Sequence, residues 1–181
     1  ELAAAQLGAL PLPALAAAWP ISEPATEPLR DLPLRQRSLA ATIRWSVATL
    51  SAPEQQVFRR LAVLTGFSVA QAGAVAPLAA GNDARVLETL HARGLLQAAP
   101  HQRYLMLRPV QEVAQRLAEE AGEWEDAAQA HARCFCSLAE RAETALSGAH
   151  QRRTRDQLEL DLPNLRAALA WGLRHDGDLA L

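Results

Sequence analysis

The most informative part of this chain is LLQAAPHQRYLML, which occupies residues 95–107. Its two short apolar segments are Leu95–Ala98 and Tyr104–Leu107, and the polar sequence Pro100–Arg103 separates them. Short apolar segments on either side of a polar turn predict a two-stranded β-hairpin. The residues before and after this stretch have helical periodicity, so the hairpin is a single small ribbon in an otherwise helical sequence.

Four helices are predicted before the hairpin, and each opens with a serine, asparagine or aspartate that can cap its first turn. The clearest start is Ser51-Ala-Pro-Glu54, a capping box with a proline inside the first turn. The expected spans are Ser38 to about Leu50, Ser51 to about Leu64, Ser68 to about Ala76, and Asn82 or Asp83 to Gly94. Helices in this order, closed by a hairpin, are typical of a winged helix.

Helical patterns return after the hairpin and continue toward the end of the chain. The expected elements are a helix from Pro109 to Gly122, a long amphipathic helix from Glu123 to about Ser147, a polar stretch from His150 to Asp156, and a helix from about Pro163 to His175. Paired helices of this kind suggest the beginning of a helical solenoid.

The predicted fold class is therefore mostly α, with a winged-helix subdomain, a small β-hairpin wing and α-helical hairpins after it. A proline-rich segment without apolar period follows an apolar N-terminal helix and indicates a linker. The expected regions are residues 1–19, a helical remnant; 20–37, a linker; 38–122, the winged helix; and 123–181, a long helix and the start of a helical repeat. Because helical patterns are interrupted at both ends, we expect an excerpt of a longer protein.

Composition argues against several classes of protein. Hydrophobic residues make up 50% of the chain but aromatic residues only 4%, which favours close-packed helices over β-sandwiches. Cys134 and Cys136 lie two positions apart on a predicted helix and cannot easily bridge each other, which indicates a reduced, cytoplasmic compartment. A membrane span is excluded by the lack of about 18 uninterrupted apolar residues.

Direct DNA binding is the main alternative function, because a winged helix often reads the major groove with its third helix. The outward positions of that helix are Arg85, Glu88, Thr89 and Ala92, and the wing adds only Arg103. Net charge is -2, and residues 38–121 hold eight arginines against six carboxylates. This small surplus offers little attraction for phosphates and argues against direct DNA contact.

No group of residues predicts catalysis. The chain lacks the GxxxxGK[ST] loop that cradles phosphates and an acidic pair that would hold magnesium, so we expect no enzyme and no cofactor in this fragment. His131 and Cys134 share one helical face, but structural zinc normally needs four ligands, and core packing is the favoured interpretation. Arg152, Arg153 and Arg155 are most simply a solvated surface.

Four stretches, in this order and spacing, carry a family resemblance. They are RDLPLRQRSLAATIRWSVATLSAPEQQVFRRLAVLTGFSVAQA (30–72), VLETLHARGLL (86–96), RYLMLRPVQEVAQRLAEE (103–120) and LELDLPNLRAALAWGL (158–173). Together they resemble the bacterial STAND or NB-ARC-like regulators, which include the large ATP-binding LuxR-type and SARP-type transcription activators. In that family the last stretch leads into tetratricopeptide-like helices. The opening ELAAAQLGAL resembles the helix after the family's GLPL motif, which would make residues 1–19 the end of a nucleotide-binding module.

The resemblance implies a switch in which ADP keeps the nucleotide domain and winged helix closed, while ATP and an inducer open them. The family's nucleotide-sensing turn, often Met-His-Asp, corresponds to Met106, Leu107 and Arg108. Leucine thus replaces the histidine that would touch a β-phosphate, and arginine replaces the aspartate. Arg108 can offer a guanidinium to a phosphate near a helix N-terminus, and its alternative role is that of a solvated surface arginine.

The expected function is therefore a non-catalytic relay of nucleotide state from an ATP-binding parent protein to a helical sensor array. The expected partners are the parent's own nucleotide-binding domain and a protein or small-molecule inducer on the helical repeats. Trp45 and Trp171 lie off the main apolar stripes of their helices and are candidates for interdomain contacts. The alternatives are a DNA-reading winged helix and a passive protein-interaction scaffold.

Overall fold

A computed structural model describes residues 34–77, 83–146 and 151–175. In these ranges the chain forms seven α-helices and one small antiparallel sheet. The helices are α1 Leu34–Ala48, α2 Ala52–Arg60, α3 Val69–Val75, α4 Asp83–Ala92, α5 Arg108–Glu120, α6 Trp124–Leu146 and α7 Gln151–His175; the strands are β1 Phe67–Ser68, β2 Gln97–Ala99 and β3 Arg103–Leu105. The predicted fold class, a winged helix followed by a helical hairpin, is confirmed.

The sheet has the strand order β1-β3-β2, with both pairs antiparallel. Tyr104 at its centre pairs with Phe67 on one side and Ala98 on the other. The turn between β2 and β3 contains His101 and Gln102 at φ values of 61° and 55°, a left-handed conformation that is uncommon for residues other than glycine. The hairpin predicted from residues 95–107 is therefore present, with its strands shifted by one or two positions.

Local capping explains where the helices begin. The carboxylate of Glu54 accepts hydrogen bonds from the backbone N–H and the hydroxyl of Ser51 at 2.8 and 2.7 Å, and these bonds lower the pKa of that carboxyl. At α3, the Ser68 hydroxyl accepts from the Gln71 N–H while the Gln71 side chain accepts from the Ser68 N–H. The predicted capping box at Ser51 thus forms, and a second one is present at Ser68.

One continuous hydrophobic core joins the winged helix to the two long helices. Its largest fully buried side chains include Phe58, Phe67 and Phe135, which come from α2, β1 and α6. Among the described elements, α6 and α7 make the most extensive contact, as an antiparallel hairpin would. The hairpin also packs on the winged helix through α3 and the 3₁₀ turn Leu61–Val63.

Three predictions about elements were wrong. The polar residues 151–156 are helical, and α7 runs without a break from Gln151 through Pro163, which we had expected to begin a helix. Packing of α7 along α6 keeps the helix continuous through a residue that would kink or break an isolated helix. Helix α1 begins at Leu34, ahead of the expected cap Ser38, and strand β1 was missed altogether.

The expected helical remnant at residues 1–19 and most of the linker at 20–37 lie outside the described residues. The boundaries of the four regions stay predictions. None of the helices in the described ranges is both long and apolar enough to cross a membrane.

Candidate functional site

The most unusual feature of the described residues is a group of polar side chains buried between the wing and the α6–α7 hairpin. Nη2 of Arg103, on β3, lies 2.6 Å from Oδ1 of Asp161, on α7. The two side chains are only 7% and 0% exposed. Because charged groups are seldom buried unless they are paired, this ion pair marks a specific contact between the two parts of the chain.

Asn164, one helical turn after Asp161, binds the backbone of the loop before β1. Its Oδ1 accepts from the Thr65 N–H at 2.8 Å, and its Nδ2 donates to the carbonyls of Thr65 and Gly66 at 3.2 and 3.0 Å. The Gly66 carbonyl also accepts from Arg103 at 2.7 Å. Gly66 has a φ of 68°, a conformation that glycine adopts at little cost, and this turn places its carbonyl between the two donors.

Two further side chains complete the group. Gln71, the capping residue of α3, donates through Nε2 to Oδ2 of Asp161 at 3.0 Å. His131 on α6 has its Nε2 at 3.4 Å from Oδ1 of Asn164, so that nitrogen acts as the donor. Burial lowers the pKa of His131, although the hydrogen bond to Asn164 acts in the opposite direction. We call Arg103, Asp161, Asn164, Gln71 and His131 the polar clamp.

The polar clamp joins β3, the loop before β1, α3, α6 and α7 through side chains that are all buried. Such a network favours one relative orientation, because any other arrangement leaves buried donors, acceptors or charges without partners. Removing one member of a buried ion pair typically costs about 3–5 kcal/mol. Among the buried side-chain nitrogen and oxygen atoms of the clamp, only Nη1 of Arg103 lacks a hydrogen-bond partner. The clamp therefore links the helical hairpin to the winged helix through several buried contacts.

Two further ion pairs stabilise this part of the chain, one between the winged helix and the start of α6 and the other within the winged helix. The guanidinium of Arg59 on α2 makes two bonds to Glu123, which precedes α6, at 2.8 and 2.7 Å. Arg44 on α1 pairs with Glu120 at the end of α5 at 2.7 Å. Both pairs are partly exposed, so they contribute less to stability than the clamp does.

The turn that was predicted to sense nucleotide lies where the wing ends and α5 begins. Met106 is buried in the core, Leu107 is exposed and precedes the first turn of α5, and the Arg108 side chain is 88% exposed. Arg108 pairs with Glu112, one turn along α5, at 3.2 Å. The structure thus places one side chain of this turn in the core and two at the surface.

The wing does not present Arg103 to solvent, and the expectation that it would supply an outward cation was wrong. Its guanidinium is held inside by Asp161, a partner 58 positions along the chain. On α4, the helix before the wing, Arg85, Glu88 and Ala92 are exposed as expected and Thr89 is half-buried. Arg93, just after α4, donates to the Thr49 hydroxyl.

The two tryptophans predicted as contact residues are separate from each other. Trp45 is partly buried on α1. Trp171 on α7 packs against the core and stacks on His175 with ring centroids 4.6 Å apart. Its indole N–H is buried and lacks a hydrogen-bond partner among the described residues. Their role as interdomain contacts stays a prediction.

His131 and Cys134 share a face of α6, as their spacing predicted, but they have different surroundings. His131 packs on Phe135, with ring centroids 4.7 Å apart, and joins the polar clamp. Burial raises the pKa of the Cys134 thiol. Across residues 34–77, 83–146 and 151–175, no group of three or more histidine, cysteine or carboxylate side chains is arranged to hold a metal. Arg152, Arg153 and Arg155 are exposed on α7.

Reasoning from the sequence missed the principal residues of the clamp. Asp161 and Asn164 occur in the stretch LELDLPNLRAALAWGL, which was noted only for its resemblance to a repeat junction. A usable signal was present, since two small polar residues at a spacing of three lie on one face of a helix. That face is otherwise occupied by buried Ala168 and Gly172.

No family model and no solved structure matches this chain. Curated proteins of mycobacteria do match it, among them "Putative HTH-type transcriptional regulator Rv0890c" of Mycobacterium tuberculosis and "Putative HTH-type transcriptional regulator Mb0914c" of Mycobacterium bovis. Each is 35% identical over 158 residues, which cover 80% of this chain. The chain is thus related to a segment of named transcriptional regulators. It spans only 17% of their length, so the match does not assign their helix-turn-helix to this segment.

Proposed function

We propose that this chain is a regulatory segment of a STAND-type transcription regulator, in which the winged helix relays the nucleotide state of an ATP-binding domain to a helical array. The observation that carries the proposal is the polar clamp, because a relay needs the winged helix and the first helical hairpin to move together. The resemblance to ATP-binding LuxR-type and SARP-type activators and the relatives' name support the same role.

The clamp favours a relay over a passive spacer. A spacer needs only a loose connection between its two parts. Here Arg103, Asp161 and Asn164 are buried, and separating the winged helix from the hairpin would leave their polar groups without partners at a large cost in free energy. A rigid contact of this kind transmits a rotation of one body to the other instead of absorbing it in a flexible joint. In this proposal the segment has no catalytic activity, binds no cofactor itself, and depends on ATP or ADP held by another domain of the longer protein.

Limited proteolysis of the full-length protein with ADP or ATP tests the proposal. We expect nucleotide to change the cleavage rate of both the winged helix and the α6–α7 hairpin. In the Asp161→Ala variant, nucleotide should still change the cleavage rate of the winged helix. Its effect on the cleavage rate of the hairpin should weaken or vanish. Glu119→Ala, which removes an exposed hydrogen-bond partner on α5, serves as the control and should behave like the unaltered protein. Equal cleavage with ADP and ATP would rule out the relay.

DNA binding is a second candidate, supported by the exposed face of α4 and by the relatives' name. It is the weaker one, because the wing cation Arg103 faces inward and Arg85 lies beside Glu88. A salt-titrated binding assay with duplex DNA separates the two functions. A DNA reader should give a steep decline of affinity with salt, and Arg85→Ala should make that decline shallower by about one phosphate contact.

A further inference from the structure

A cleft lies between the winged helix and the helical hairpin, next to the polar clamp. Its volume is about 320 Å³, the size of a small organic molecule. One wall comes from α5 and carries Arg108, Gln111 and Glu112, and the other comes from α6 and α7. Both of the bodies that the proposed relay would move therefore contribute to it.

The hairpin wall offers flat apolar surfaces. Trp124, the first residue of α6, and Trp171, near the end of α7, both line the cleft and pack against the core behind it. The Trp171 indole N–H has no hydrogen-bond partner within the described ranges. Because that N–H is buried, Trp171 offers the cleft its ring and not a hydrogen bond. Two indole rings are suited to a planar aromatic molecule.

The charge of the cleft favours an anion. It is lined by two guanidinium groups, those of Arg108 and Arg174, and by one carboxylate, that of Glu112. Arg108 pairs with Glu112 at 3.2 Å and stays 88% exposed, so it can rotate toward a ligand. Arg174 forms no ion pair with any residue that the structure describes. Guanidinium groups bind carboxylates and related anions through charge-assisted hydrogen bonds.

We infer that this cleft binds a small aromatic anion, such as an arylcarboxylate or an arylsulfonate. The rings of Trp124 and Trp171 hold its planar part, and Arg108 and Arg174 hold its charge. His131 lines the cleft and also contacts Asn164 of the polar clamp at 3.4 Å, so an occupant lies one side chain away from the joint between the two bodies. Any effect of this ligand on signalling rests on the proposed function, whereas binding itself does not.

The inference is tested on the full chain with the fluorescent arylsulfonate 8-anilinonaphthalene-1-sulfonate and its uncharged analogue N-phenyl-1-naphthylamine. We expect the anionic probe to bind at a single site. The double variant Arg108→Ala/Arg174→Ala should weaken its binding about tenfold or more, as expected when a charge-assisted hydrogen bond is lost. Binding of the uncharged analogue should not change.

Two more variants make the result specific. Trp171→Leu removes one of the two aromatic rings that line the cleft, so it should weaken binding of the anionic probe as well. Arg166→Ala removes an exposed arginine of the same helix that does not line the cleft, and it should leave binding unchanged. Arg108 and Arg174 both lie at the surface, so the double variant should fold like the unaltered chain. Equal binding of the anionic probe to the double variant and the unaltered chain overturns the proposal, whatever the proteolysis of the full-length protein shows.

Discussion

Nη2 of Arg103 and Oδ1 of Asp161 lie 2.6 Å apart in the interior of the molecule, although the two residues are 58 positions apart in the sequence. Arg103 belongs to the wing and Asp161 to the last described helix. Their ion pair makes the orientation of the helical hairpin depend on the wing.

Replacing Asp161 by alanine should lower the free energy of unfolding by about 3–5 kcal/mol, because it leaves the guanidinium of Arg103 buried without a counter-charge. Chemical denaturation measures the loss. The double variant Arg103→Met/Asp161→Leu should be more stable than the sum of the two single changes predicts, since neither charge is then left alone. As a control, Arg108→Ala breaks an exposed pair and should cost at most about 0.5 kcal/mol. Similar losses from Asp161→Ala and Arg108→Ala would contradict the prediction.

Replacing Asn164 by alanine should cost about 2 kcal/mol or more, because the Thr65 N–H and the carbonyls of Thr65 and Gly66 then lose a buried partner. Amide hydrogen exchange at Thr65 should accelerate in the variant. Gln115→Ala provides the comparison, since Gln115 bonds to Glu119 at the surface of α5 and its loss should have an effect within about 0.5 kcal/mol. Unchanged exchange at Thr65 would show that Asn164 does not hold the loop.

Stability should fall as the pH is lowered from about 7 toward 5. The pKa of His131 is lowered by burial, so the unfolded chain binds a proton at a higher pH than the folded chain does. The stability linked to neutral His131 is therefore complete above its ordinary pKa and is lost below it, with a slope of at most about 1.4 kcal/mol per pH unit. Unfolding measured at several pH values should show a smaller slope in His131→Gln. An equal slope in His131→Gln and the unaltered chain would contradict the prediction.

Replacing Pro163 by alanine should stabilise the protein by about 1–3 kcal/mol, because proline in a helix interior removes a backbone hydrogen bond and Pro163 is exposed. Thermal unfolding and helical content by circular dichroism measure the change. Pro109→Ala is a matched control, since Pro109 lies in the first turn of α5, where no hydrogen bond is lost to proline. A clear loss of stability in Pro163→Ala would mean that the proline is needed for the packing of α7.

Much of the secondary structure could be predicted because its signals are local. The capping residues Ser51 and Ser68 and the apolar segments around Pro100 each act over a few neighbouring residues. Strand β1 escaped prediction because two residues are too few to show a period. Pro163 led to a wrong prediction for the opposite reason. Its strong local preference against a helix interior is overridden by packing of α7 on α6.

The polar clamp and the cleft depend on the tertiary fold more than the secondary structure does. The sequence shows that Arg103 follows a turn, and it allows that side chain to point either to solvent or inward. Its direction is set by Asp161, which only the approach of α7 brings near. The cleft likewise exists only because Trp124, Trp171 and Arg108 converge from three different helices.

Periodicity, capping and turn residues were therefore enough to predict a winged helix followed by paired helices, since each such preference depends on neighbours a few positions away. Tertiary packing decided which polar side chains are buried, which cations remain free and where a ligand can enter. Those properties depend on contacts between residues that are distant in the chain, and the energy of burying a charge is defined only when its partner is in place.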